Sequence, residues 1–292
     1  MSDSACSPSD KAVAADALRR AGVASGAGAY ALWGLFPLYF PLLEPAGPVE
    51  ILAHRIVWSL LAVAAVVTIR KRVAAVRVVL ASPMSALLLA VAAVLLAGNW
   101  VTHIYAVNSD HVIESSLGYF ITPLVTVAFG LLVFGERLRR EQSFALALGA
   151  LAVLVLAVDY GRVPWIALTL AATFATFGLV RKLVNVGAAE GLLVETLVLF
   201  VPAFAFLLVG GLNGTASFGH VSTEHTLLLA SAGPVTALPL LLFSAAVTRI
   251  PLSLVGLLQY LAPVLQFLIG LLVVGRPCLP ADGSGSRSSG PP

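Results

Sequence analysis

Apolar residues run along this chain in blocks of about twenty, each closed by a short stretch of Gly, Pro and charge. A helix needs about 20 mostly apolar residues to cross the hydrocarbon core of a bilayer. Nine blocks meet that length, at 22–42, 50–69, 83–106, 113–134, 142–159, 164–181, 190–211, 226–247 and 252–275. Within each block the apolar residues are continuous and do not alternate, which predicts helices and argues against the strands of a closed barrel. The pattern therefore predicts an all-α, polytopic membrane helix bundle with nine spans.

Two of the blocks are copies. Ser116–Glu136 reads SLGYFITPLVTVAFGLLVFGE and Leu257–Arg276 reads LLQYLAPVLQFLIGLLVVGR. A shift of 140 positions lays Pro123 on Pro263, Gly130 on Gly270, Gly135 on Gly275 and Phe120 on Tyr260. Self-similarity at one fixed offset marks a duplicated architecture. The copies are the fourth and ninth spans, so the repeating unit holds five helices. An odd number of spans forces the second copy to be inverted, an arrangement found in transporters that bind solutes where the halves meet. The expected organisation is a cytoplasmic disordered tail over 1–21, a first repeat over 22–160 (spans 1–5), a second over 161–275 (spans 6–9), and a disordered tail over 276–292. Two inverted repeats call for ten spans. After Gly275 the chain reads RPCLPADGSGSRSSGPP, a composition that cannot support a packed helix. The tenth helix is therefore expected to be missing, through truncation or a change of reading frame.

Composition agrees with a lipid solvent: 59% of residues are hydrophobic, 11% are charged and the mean hydropathy is +0.99, whereas soluble domains carry about 25% charge. Two cysteines, Cys6 and Cys278, rule out a disulfide framework or a Cys-based metal motif. The net charge of +3 is spread over helix ends, with no nucleic-acid patch. Residues 1–20 lack the short apolar core and cleavage site of a secretory signal, so the first span is read as an uncleaved anchor. With the N-terminus in the cytoplasm, thirteen Lys and Arg residues fall on the inner side and three on the outer, with Arg55 inside a span. Basic residues favour the cytoplasmic side, so the expected location is the plasma (inner) membrane, multi-pass, N-terminus inside.

Several stretches together carry a resemblance. They are Trp33–Phe40 (WGLFPLYF), Glu50–Leu60 (EILAHRIVWSL), Asn99–Trp100, Ala106–Asn108, Ser116–Val125 (SLGYFITPLV), Gly135–Leu138 (GERL), Pro164–Leu168, Ala237–Phe243 (ALPLLLF) and Leu258–Phe267 (LQYLAPVLQF). In this order they resemble the RarD branch of the EamA-type drug/metabolite transporter superfamily, over about 25–275. The resemblance implies ten helices in two inverted halves and a plasma-membrane permease, often labelled chloramphenicol-sensitive or chloramphenicol-resistance. The chain departs from that pattern at Arg276, where the family has Glu after Gly, and in its tenth helix.

Polar groups inside spans are costly and mark candidate sites. Arg55 offers an anion anchor and His54 a proton relay; the plainer alternatives are snorkelling or pairing of Arg55 with Glu50 or Glu114. Asn99 and His103 share a helix face at i, i+4, with Trp100 beside them. Tyr119 and Pro123 share one on the fourth span with Ser116, and Gln259, Pro263 and Gln266 on the ninth, next to Tyr260. Trp33 is a candidate stacking platform. These faces are read as one cavity lining, against interhelical hydrogen bonding worth about 0.6 kcal/mol each. Pro123 and Pro263 are expected helix kinks. Glu195, with His54, is a candidate proton carrier, or lies at the headgroup boundary. Glu136 is read as part of a solvated basic loop.

No Walker A sequence, HExxH motif or nucleophile motif is present, so neither a cofactor nor a metal is expected, nor an enzyme. The leading reading is a secondary active permease for a small organic metabolite or drug, working by alternating access and coupled to protons. Its expected partners are the small-molecule substrate and the lipid bilayer, with a homodimer left open and no nucleic acid. The alternatives are a membrane-embedded enzyme acting on lipid through His54, Arg55, His103 and Glu114, and a non-functional truncated permease.

Overall fold

A computed structural model describes residues 8–272, and among the described residues every regular element is helical. The order is α1 (Pro8–Gly34), α2 (Phe36–Tyr39), a 3-10 turn (Phe40–Leu43), α3 (Pro48–Ile69), α4 (Val73–Ala81), α5 (Pro83–Asn108) and α6 (Val112–Phe134). Then come α7 (Arg140–Tyr160), α8 (Trp165–Val184), α9 (Ala188–Leu212), α10 (Thr223–Val247), α11 (Leu252–Gln259) and α12 (Leu261–Leu272). Among the described residues nine spans are long and apolar enough to cross a membrane, with α1 to the 3-10 turn forming the first and α11 with α12 the ninth.

Local chemistry sets the boundaries. Pro48 and Pro83 open α3 and α5 at the first helical position, where the missing N–H costs nothing. Gly135 and Gly161 close α6 and α7 at φ 62 and 70, the left-handed geometry of a helix C-terminus. The ninth span is interrupted at Tyr260 because Pro263 has no N–H for the Gln259 carbonyl. Its counterpart Pro123 lies inside an unbroken, well-packed α6.

Two features differ from the sequence expectation. From Pro8 on, the stretch expected to be a disordered tail to residue 21 is helix, continuous with the first span; Ala, Leu and Arg there are strong helix formers. The stretch 70–82, between the second and third apolar blocks, contains α4, which buries Val76 and Val79. The expected C-terminal tail over 276–292, the last three residues of the ninth block and residues 1–7 lie outside the described residues.

The principal packing partners come in matched sets. α6 packs on α8 as the ninth span packs on α1; α5 on α8 as α10 on α1; α3 on α10 as α9 on α5. The remaining strong pairs are α3 with α9 and α6 with α11. Exchanging each span for the one five places later converts this set into itself. α7 packs chiefly on α6 and buries none of its residues. Close approaches use small residues, as helices in lipid require: a Cβ on Gly233 of α10 would overlap the main chain of Trp58 and Ser59 in α3.

Connections gather at two ends. At one, the Glu50 carboxylate accepts from the N–H groups of Ser217 (2.7 Å) and Phe218 (3.3 Å) and from the Ser217 hydroxyl, and Glu114 accepts from Tyr160 and the N–H of Ile166. At the other, here termed the basic end, Arg72 pairs with Glu190 at 2.7 Å.

Candidate functional site

Between α3, α5, α9 and α10 lies a cavity of about 10 Å³, room for roughly one water. Its lining includes Ile56 with Thr196, Ser59 with Leu199, and Trp100 with Leu240. Each of these pairs is separated by 140 positions. The cavity is therefore lined in part by pairs at the same offset that relates Pro123 to Pro263. Ser59 is tied in place by donating to the Gly233 carbonyl at 2.9 Å.

Two charges bracket this space. Glu195 lines it from α9 and pairs with Arg181 of α8 at 3.3 Å, the two side chains being 1% and 0% exposed. One oxygen of Glu195, Oε2, and Nε of Arg181 meet no hydrogen-bond partner among the described residues. Arg181 was legible in the sequence only as a helix-end basic residue; its burial under α9 depends on Gly191, whose missing side chain leaves room for the guanidinium.

At the 140-residue offset the counterpart of Arg55 is Glu195. The Arg55 guanidinium packs against Trp100 at 4.7 Å from the ring centroid, Phe40 at 5.3 Å and Phe36 at 6.0 Å. Nε donates to Thr236 at 2.9 Å. Arg55 makes no ion pair with Glu50 or Glu114, whose carboxylates accept from loop and helix-start N–H groups instead. Tyr39, Tyr119 and His103 lie within electrostatic reach of Arg55. His103 contacts the Ser115 hydroxyl at 2.9 Å and the Tyr119 hydroxyl at 3.3 Å. Phe36, Tyr39, Phe40 and Thr236 are additions to the sequence reading. Arg55, Trp100, His103 and Tyr119 from that reading come together here.

The other candidates are placed elsewhere. His54 is buried at the end opposite the basic one, stacked on Phe218 with centroids 4.7 Å apart and accepting from Trp58. Trp33 sits in an aromatic cluster with Tyr30, Phe174 and Phe243. Gln266 donates to the Trp33 carbonyl. Asn99 donates to the Leu170 carbonyl and to Thr173, tying α5 to α8, and Gln259 accepts from Thr126 at 3.4 Å. Tyr260 packs against Gly149 of α7. The four polar residues proposed for a lipid-acting centre do not form one cluster, since His54 and Glu114 are bound to other groups.

Glu136 is no free loop residue. It accepts from the N–H groups of Leu252 and Ser253, each at 2.7 Å, and lies 3.7 Å from Lys182. Burial alone would raise its pKa, but these hydrogen bonds and Lys182 together hold it below the ordinary carboxylate value. Lys182 also donates to the carbonyls of Val247 and Ile250. The start of α11 and the ends of α6, α8 and α10 are thus clamped at the basic end. Among the described residues no cluster of His, Cys, Asp and Glu could hold a metal ion.

Comparison with known proteins gives the chain relatives along most of its length. It is 52% identical to Protein RarD of Streptomyces exfoliatus over 254 residues, covering 87% of this chain and 81% of that one. It is 41% identical to the uncharacterized transporter YojE of Bacillus subtilis, covering 88% and 86%. It is 30% identical to the chloramphenicol-sensitive protein RarD of Pseudomonas aeruginosa, covering 87% and 86%. No protein-family model matches the chain. One crystal structure of a protein, 18% identical, superposes with a TM-score of 0.65 over 89% of this chain and 91% of that one, a likeness of fold.

Proposed function

The chain belongs to the RarD family of membrane transporters, and from that premise we propose that it is a secondary transporter of small organic solutes. It works by alternating access between two inverted halves, spans 1–5 and spans 6–9. The observation that carries this reading is the cavity lined by residue pairs 140 positions apart, because in inverted-repeat transporters the solute binds where the halves meet. The exchange pattern of helix packing supports the same geometry.

The two ends supply matched closures. Glu50 and Glu190, again 140 positions apart, each open a span and each grip a connection of the other half: Glu50 the 213–222 connection, Glu190 the connection carrying Arg72. Opening one end breaks one grip and keeps the other, which is the requirement for access from one side at a time. The basic end carries Arg70, Lys71, Arg72, Arg137, Arg139 and Arg140, and on the positive-inside bias it faces the cytoplasm, with the plasma membrane as the host bilayer.

Glu195 is the coupling group in this scheme. It has one unbonded oxygen at the cavity and one oxygen on Arg181. Accepting a proton weakens its hold on Arg181, and releasing it restores the pair, so its charge state is tied to the packing of α8 on α9. The test is release of a bacterial metabolite extract from proteoliposomes, followed by mass spectrometry with and without an imposed pH gradient. A discrete set of small solutes should leave faster than from vesicles holding Glu195→Gln, and the gradient should change their rate. Identical release from protein-free vesicles would overturn the reading.

A further inference from the structure

We propose that Arg55 anchors the anionic group of the transported solute, and that the solutes are small organic carboxylates with flat apolar bodies. This rests on the transporter reading above and names the chemistry of its site.

The argument is one of charge matching. A cation held within a span is costly, and the other buried or half-buried cations here have anionic or carbonyl partners. Arg181 has Glu195, and Lys182 has Glu136 and two carbonyls. Arg55 has no carboxylate within 4 Å among the described residues; its one hydrogen bond is from Nε to Thr236, a neutral hydroxyl. The acids on the neighbouring elements are taken: Glu50 by Ser217 and Phe218, Glu114 by Tyr160 and Ile166. The other titratable groups near it, Tyr39, His103 and Tyr119, carry no negative charge at neutral pH. Tyr39 is itself bonded to Ser231 and the Leu228 carbonyl.

The surroundings of the guanidinium favour one class of anion. Phe36, Phe40 and Trp100 pack against the guanidinium within 4.7–6.0 Å of their ring centroids, a stacking that favours approach by a solute along the edge. The terminal nitrogens on that edge hydrogen-bond nothing among the described residues, and a guanidinium edge matches a planar carboxylate through two parallel hydrogen bonds. A doubly charged phosphate would want a second cation, and none is adjacent. Beyond Trp100 the lining is mostly apolar, with Ile56, Leu96, Leu199 and Leu240, and is broken by Ser59, Thr196 and the Arg181-paired Glu195; its apolar part suits the body of the solute.

The experiment uses the full chain in nanodiscs of zwitterionic lipid, with benzoate and indole-3-acetate as anionic probes, benzamide as neutral and benzylamine as cationic. Thermal unfolding midpoints across a concentration series give each affinity. Both carboxylates should raise the midpoint. Benzamide and benzylamine should leave it unchanged, Arg55→Gln should weaken carboxylate binding about tenfold or more, and Arg55→Lys should retain part of it. The proposal is overturned if neither carboxylate binds, if benzamide or benzylamine binds as well, or if R55Q binds carboxylates like the parent. Solute release from proteoliposomes that persists for neutral or cationic species alone would leave the transporter standing and remove the anion assignment.

Discussion

Arg55 of α3 and Glu195 of α9 occupy the same register position in the two copies of the repeat, 140 residues apart, and both bear on one cavity. Glu195 lines it directly, and Arg55 packs on Trp100, which also lines it. The 140-residue offset thus joins two opposite charges. One charge has a resident partner in Arg181 and the other has none among the described residues.

The Arg181–Glu195 pair gives the first prediction. Breaking a buried ion pair by removing one partner strands the other charge, at a cost of about 3–5 kcal/mol. Glu195→Leu and Arg181→Met should each lower stability by that order in nanodisc unfolding. The double variant R181M/E195L should recover most of the loss, because an apolar pair of similar volume needs no charge compensation. Additive losses in the double variant would show that the two side chains act independently.

Glu136 gives a pH prediction. Its carboxyl is held below the ordinary range in the folded protein, so its contribution is fully present above the unfolded-state pKa of about 4.5 and is lost as pH falls through the lower folded value. Glu136→Gln should cost about 1–3 kcal/mol at pH 7. The gap between E136Q and the parent should close as pH is taken below 4, on the order of the unfolded carboxylate pKa. A gap that stays constant from pH 7 down would assign the effect to something other than the charge.

Gly233 gives a packing prediction. Gly233→Ala puts a methyl into the Trp58–Ser59 main chain, and overpacking of this kind costs about 1–3 kcal/mol or more. Gly98→Ala is the control: no atom lies within 4 Å of an added Cβ there, and replacing a mid-helix glycine should stabilise by about 0.5–1 kcal/mol. Parallel unfolding curves of the two variants check both signs at once.

The Arg72–Glu190 grip gives a functional prediction. Arg72 is 59% exposed, so the pair contributes about 0–1 kcal/mol to stability. Arg72→Ala should therefore leave the unfolding midpoint almost unchanged while shifting the balance towards the form open at the basic end. Faster modification of a cysteine placed at Thr196 from that end, with an unaltered midpoint, is the expected result.

The spans were legible because long apolar runs leave the backbone no choice but helix in lipid, and eight of the nine starts fall within a few residues of the sequence reading. α4 was not, because nine residues with Arg77 at their centre look like any basic connection. The site was half legible. Arg55 and Glu195 stood out as charges in apolar runs, but their relation to one cavity depends on how α3, α5 and α9 pack. Phe36, Tyr39, Phe40 and Thr236 look like ordinary span residues, and only the packing of α2 and α10 beside α3 gives them a role. Asn99, Gln259 and Gln266 have the spacing of a cavity lining, yet they bind carbonyls and hydroxyls of neighbouring helices, a distinction that depends on which helix lies opposite.

Alternation of access at the central cavity is the claim on which the rest depends, and Ser59 is the place to measure it. The hydroxyl is buried and bonded to Gly233, and Ser59→Cys changes one atom. In a background without Cys6 and Cys278, a small charged methanethiosulfonate reagent that cannot cross lipid is applied to oriented proteoliposomes, outside in one sample and inside in the other. Modification of Ser59→Cys from both sides, at rates that change in opposite directions when Arg72→Ala is added, is the predicted result. Modification from one side only, whatever the variant, would contradict the account.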